Sequence, residues 1–131
     1  MSGETDLATM LGTLDVEPRD GTWTLLTRRA PDAALDAQAA ARIDEREGIT
    51  YVVPEHVARE HGESPRFVAA WLTLRVHSAL DAVGLTAAVS RALADAGIAC
   101  NVLAGFHHDH LLVPAARRAD AIAALHALRG N

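Results

Sequence analysis

Val68-Ala-Ala-Trp-Leu-Thr-Leu-Arg-Val76, followed by Leu85-Thr-Ala-Ala-Val-Ser-Arg-Ala-Leu-Ala-Asp-Ala-Gly97, is the stretch that decides the fold. The first run is continuous and apolar enough for a strand covered on both faces. In the second, Leu85, Ala88, Val89, Ala92, Leu93 and Ala96 follow the i, i+3, i+4, i+7 spacing of an amphipathic helix, which Gly97 closes. Downstream, Ile98 to Ala104 and His110 to Val113 read as two strands joined around His108-Asp109. Pro114 then opens a last helix, because its missing N–H costs nothing at the first helical position. Ala115, Ala119, Ile122, Leu125 and Leu128 form its expected apolar stripe, with Arg129 in the final turn. The order β-α-β-β-α is a split β-α-β unit, the ferredoxin-like plan short of one strand.

Upstream, Leu7, Met10, Leu11 and Leu14 predict a short helix over about 4–14. Pro18, Asp20 and Gly21 predict a turn, and Thr22-Trp-Thr-Leu-Leu-Thr27 a strand. Ala30 to Ala37 reads either as a loop or as a loose turn of helix. Ala41 to Glu45 and Ile49 to Val53 flank Arg46-Glu47-Gly48 as a hairpin. Pro54 opens a helix to about residue 61, closed by Gly62, and Ser64-Pro65 is the one boundary signal. The expected domains are therefore an N-terminal half, 1–65, and a C-terminal half, 66–131. The missing fourth strand is expected from the N-terminal half, or the two sheets join edge to edge, because an uncovered edge invites aggregation. One cooperative folding unit follows.

Composition narrows the function classes. Of 131 residues, 50% are hydrophobic and 22% charged, the balance of a soluble globular protein. The net charge of −5 lacks the basic footprint of a nucleic-acid surface. No apolar run approaches the roughly 20 residues that span a bilayer. The start, Met-Ser-Gly-Glu-Thr-Asp, lacks the basic and apolar parts of a secretory signal, so a cytoplasmic location is expected. Cys100 is the single cysteine, which excludes an intramolecular disulfide and a cysteine-based zinc site.

The loop His77-Ser-Ala-Leu-Asp-Ala-Val-Gly84-Leu85 carries the strongest functional signal. Ser78 and Asp81 have capping-box spacing, and Gly84 permits a close backbone approach. Helix N-terminal N–H groups attract carboxylates and phosphates, so the loop is competent to hold the end of a small acid. Equally, Ser78 and Asp81 can serve only as caps and Gly84 only for packing.

Asp81-Ala-Val-Gly84-Leu85, with Leu93-Ala-Asp-Ala-Gly97-Ile98 after it, resembles the signature of the ACT domain. The longer run from His77 through Asn101 to Pro114 is similar to small bacterial stand-alone ACT-like proteins and related to arginine-sensing ones. Gly48-Ile-Thr-Tyr-Val-Val-Pro-Glu resembles the strand that precedes this domain in the same proteins. The resemblance implies an α+β, ferredoxin-like fold, with two ACT-like halves and helices packed on one sheet face. It implies sheets pairing side by side in a homo-oligomer, and a small ligand, usually an amino acid or similar carboxylate, held at the interface. Carried onto this chain, the ligand contacts are Ser78, Ala79, Leu80, Asp81, Val83 and Gly84 in the loop, with Asn101 and Val102 on the facing strand. Val83 departs from the proline common before this glycine, and Phe106-His107 from the two aromatics expected in close relatives. The implied role is non-catalytic regulation of a separate protein, with no cofactor. The alternative is a ligand-free assembly domain that keeps only the sheet-pairing surface.

His107, His108, Asp109 and His110 form the one metal-like run, in which His108 and His110 share a face and His77 is a weak third candidate. The competing reading is a polar hairpin turn with solvated or stacked imidazoles. His56 and His61 read as solvated, His126 as flanking the last helix, and Trp23 and Trp71 as core anchors. No phosphate-binding glycine loop or nucleophile elbow is present.

Overall fold

The computed structural model describes residues 6–76 and 83–130. Six strands run in the hydrogen-bonded order β2-β3-β1-β4-β6-β5. They are β1 (Asp15–Arg28), β2 (Ala41–Asp44), β3 (Ile49–Pro54), β4 (Ala69–Arg75), β5 (Asn101–Ala104) and β6 (Asp109–Pro114). The helices are α1 (Leu7–Gly12), α2 (Ala33–Gln38), α3 (Glu55–Glu60), α4 (Leu85–Asp95) and α5 (Arg118–His126). The chain divides into two compact units, one of Met1–Arg19 with Ala70–Asn131 and one of Asp20–Ala69.

In the first unit, β1 lies beside β4, so the order β1-β4-β6-β5 supplies the fourth strand that the C-terminal pattern lacked. Alternate residues Ala70, Leu72 and Leu74 of β4, with Leu111 and Val113 of β6, face one core. Met10, Leu85, Val89, Leu93, Ala121 and Leu125 from the helices pack on them. β5 and β6 are antiparallel, with Asn101 opposite Leu112 and Val102 opposite Leu111. In the second unit, Leu35, Val57 and Ala58 of α2 and α3 pack on Leu26, Ile49, Tyr51 and Val53. β3 there pairs antiparallel with both β1 and β2.

Three local readings change. Pro18, Asp20 and Gly21 do not form a turn, because β1 runs through them for 14 residues. Residues 17–22 are all exposed, so their polarity imitates a turn while the backbone stays extended. Ala30 to Ala37 resolves into α2, nucleated by Asp32, whose Oδ1 accepts from Leu35 N at 3.1 Å. The last helix opens with a 3₁₀ turn over Ala115–Arg117, whose tighter winding shifts the phase of the helix behind it. Leu125 is buried, with Ile122 and Leu128 packed against the core as expected, but Ala121 is buried in place of Ala119, which is exposed.

Candidate functional site

α4 begins at Leu85 with Gly84 as its N-cap, and among the described residues no side chain caps it. The N–H groups of a first turn have no partner within the helix, so an uncapped turn leaves them for solvent or a ligand. Gly84 has φ +101°, a conformation that L side chains rarely adopt, and its carbonyl accepts from Ala88 N at 2.9 Å. A Cβ there would lie 3.2 Å from Leu7 Cδ2, so α1 packs its side chain against the bare glycine. Val83 is 82% exposed beside it. Ser78, Ala79, Leu80 and Asp81, with the expected capping box and His77, lie outside the described residues. Asn101 and Val102 stand on β5, the terminal strand of the sheet order, where both are exposed.

A second cluster lies on the sheet face away from the helices of the first unit. The Thr73 hydroxyl donates to His110 Nδ1 at 2.9 Å. The Trp71 indole N–H is shared between Thr73 Oγ1 at 3.2 Å and His110 Nδ1 at 3.3 Å. Arg19 places its guanidinium 4.8 Å from the Trp71 ring centre, and the His110 ring lies 5.2 Å from it, tilted. An indole nitrogen only donates, so Nδ1 must be an acceptor and His110 is the neutral Nε2–H tautomer. Burial, then His108, pushes its pKa below the usual 6.5; Asp109 opposes this and Arg19 adds to it. The sequence reading treated Trp71 as a core anchor and missed this cluster. The alternation of Trp71 and Thr73 on one strand face was the available signal.

The remaining histidines separate. His107 is exposed and meets Phe106 edge-on at 5.1 Å. His108 O accepts from Gly105 N at 3.0 Å, closing the β5–β6 turn. His61 is not simply solvated, since its Nδ1 lies 2.9 Å from Val57 O at the end of α3. His126 Nε2 lies 3.4 Å from Asp15 Oδ1. Among the described residues, no three His, Cys, Asp or Glu side chains are grouped to hold a metal.

A pH effect follows from His110. With its folded pKa lowered, the unfolded chain binds a proton more readily in the window just below pH 6.5. Stability is complete above 6.5 and falls as pH drops through that window. Melting curves between pH 7.5 and 5 are expected to show a larger Tm decrease for the wild type than for His110→Gln, which keeps an acceptor but does not titrate. Parallel decreases would show that the ring stays accessible to protons.

Two family comparisons match the chain, both to the ACT domain, over residues 2–70 and 66–127. A solved protein of unknown function from Vibrio cholerae, described as a possible transport protein, is 32% identical. It aligns over 94% of this chain and 95% of its own, with a TM-score of 0.86. The chain belongs to the ACT-domain family. An Agobacterium tumefaciens protein shares the fold at 18% identity, with a TM-score of 0.66 over 88% of this chain and 89% of its own. Aspartokinase alpha and beta subunits do so at 16% identity and 0.64, over 88% and 97%. No curated protein matches the sequence. ACT domains are generally regulatory, ligand-binding domains, and the ferredoxin-like α+β reading of this ACT chain holds in both halves. No helix among the described residues is long and apolar enough to cross a membrane.

Proposed function

We propose that this ACT protein is a non-catalytic cytoplasmic regulator that binds a free amino acid or similar small carboxylate and signals that state to a protein partner. The observation that carries the reading is the first turn of α4, an eleven-residue helix whose N-cap is Gly84 and which no described side chain caps. Its N–H groups and Ser78 hold the α-carboxylate, and Asp81 pairs with the α-ammonium. Asn101 and Val102 complete the site from β5 of a second copy in a homo-oligomer. Pairing through β5 is supported by its uncharged run Asn101-Val-Leu-Ala104, exposed except at the half-buried Leu103, at the end of the sheet order. At the other end, β2 carries Arg42, bound to Asp36 at 2.9 Å and Asp44 at 2.7 Å, charges that discourage strand addition. The halves 1–65 and 66–131 are proposed as two ACT-like copies.

A second reading, a ligand-free assembly domain, is favoured by the packing of Leu7 against Gly84, which occupies space beside the glycine. A thermal-shift screen of the twenty amino acids, with zinc and chelator arms, separates the two. A ligand at 100 times its Kd adds about 2.7 kcal/mol, which for a chain this size raises Tm by roughly 5 to 10 °C. One amino acid is expected to give that shift, with affinity at least tenfold weaker in the Ser78→Ala, Asp81→Ala double variant. A flat screen from a protein that is dimeric by light scattering would establish the assembly reading instead.

A further inference from the structure

The unit formed by residues 20–69 carries a groove of its own, with a volume of about 560 Å³. That size falls within the roughly 300–1,000 Å³ of small-molecule sites. Its walls are the Asp20–Trp23 segment of β1, Pro54, and Glu55, His56 and Arg59 of α3. Trp23 and Pro54 stand opposite each other in the β1–β3 register and make the apolar part.

The polar part is a relay ending on an arginine. The Thr22 hydroxyl donates to Glu55 Oε1 at 2.7 Å. Arg59 donates to Glu55 Oε2 from Nε at 3.0 Å and from Nη2 at 2.8 Å. Thr22 first and Arg59 second hold the Glu55 carboxyl below its usual range, so it stays ionised and both its oxygens are engaged. The Arg59 guanidinium is thereby fixed in orientation, while its side chain is 57% exposed and Nη1 takes no part in the pairing. A pre-oriented fork loses less entropy on binding an anion than a free side chain does.

We propose that this groove binds a small organic monocarboxylate, with the charge on the open edge of Arg59 and the apolar body against Trp23 and Pro54. Both Glu55 oxygens already accept hydrogen bonds, from Thr22 and Arg59. Asp20, also on the lining, repels a dianion about twice as strongly as a monoanion, which favours a carboxylate over a phosphate dianion. None of the residues named for this groove belongs to the 77–84 stretch, and the proposal does not depend on the amino-acid reading.

The test is a backbone-amide NMR titration of the full chain with phenylacetate, its neutral counterpart phenylacetamide, and phenyl phosphate. Phenylacetate is expected to give saturable shifts at Gly21–Trp23 and Glu55–Arg59. Affinity drops at least tenfold for phenylacetamide and for the Arg59→Gln variant, and Arg59→Lys recovers part of it. The Ser78→Ala, Asp81→Ala variant titrates like the wild type. No saturable shift, equal binding of the amide, or an unchanged Arg59→Gln response overturns the proposal. Tighter binding of phenyl phosphate overturns the choice of a monocarboxylate.

Discussion

Leu93→Ala is expected to lower Tm by about 10 °C or more. Leu93 is fully buried on α4, in the core shared with Met10, Val89, Leu72 and Leu125. Removing a leucine side chain from such a site costs about 2–5 kcal/mol, the transfer term plus a cavity the neighbours fill only partly. At roughly 2–4 °C per kcal/mol for a chain of this size, the shift is large enough to read in a single circular-dichroism melt. The melt is also expected to remain one transition. β1 places Val16 in one core and Leu26 in the other, so loosening either core strains a strand that both require. Two resolved transitions would show that the units of this ACT protein unfold independently. A shift of only a degree or two would mean that the core around Leu93 closes over the cavity.

Gly48→Ala is the second large effect. Gly48 ends the β2–β3 turn with φ +155°, and a Cβ would lie 2.8 Å from the Arg28 carbonyl oxygen and 3.0 Å from Thr27 Oγ1. The threonine hydroxyl can rotate away, but the carbonyl belongs to β1, where Arg28 pairs with Ile49. Relief therefore requires the β1–β3 ladder to open at its end. A cost of about 2 kcal/mol or more is expected, from the clash and the unfavourable backbone conformation together. Gly12→Ala is the control, because nothing lies within 4 Å of its Cβ position and it sits in α1. Alanine is the better helix former there and should be neutral or stabilising by up to about 1 kcal/mol. Equal melting temperatures for the two variants would show that the hairpin adjusts without loss.

The comparison of sequence with structure turns on particular elements. Periodicity located α4 and β4, because a helix and a strand that bury one face must repeat at 3.6 and 2 residues whatever their neighbours. The hairpin at Gly48 was legible for a local reason too, since turn chemistry lies in adjacent residues. The stretch from Pro18 to Gly21 misled, because its composition is that of a turn while its conformation is set by neighbouring strands. In the last helix Ile122, Leu125 and Leu128 meet the core as their spacing predicts, but the 3₁₀ turn ahead of α5 leaves no mark in that spacing, and Ala121 is buried where Ala119 was expected. Of the candidate site, the place of Gly84 at the head of a helix was readable. The link from Trp71 and Thr73 to His110, and from Thr22 to Glu55 and Arg59, was not, because each joins residues far apart in the chain.

By itself, then, the sequence determined the α+β class, the β-α-β-β-α order of the C-terminal half and the ACT signature, all of which rest on local periods and short motifs. Only the tertiary structure decided that β1 completes the C-terminal sheet, that Leu7 packs against Gly84, and that Thr22 of β1 holds Glu55 of α3 at the edge of a groove. These are pairings between distant segments, chosen by which arrangement satisfies the most backbone and buries the most apolar surface at once. Nothing in any one segment specifies its partner.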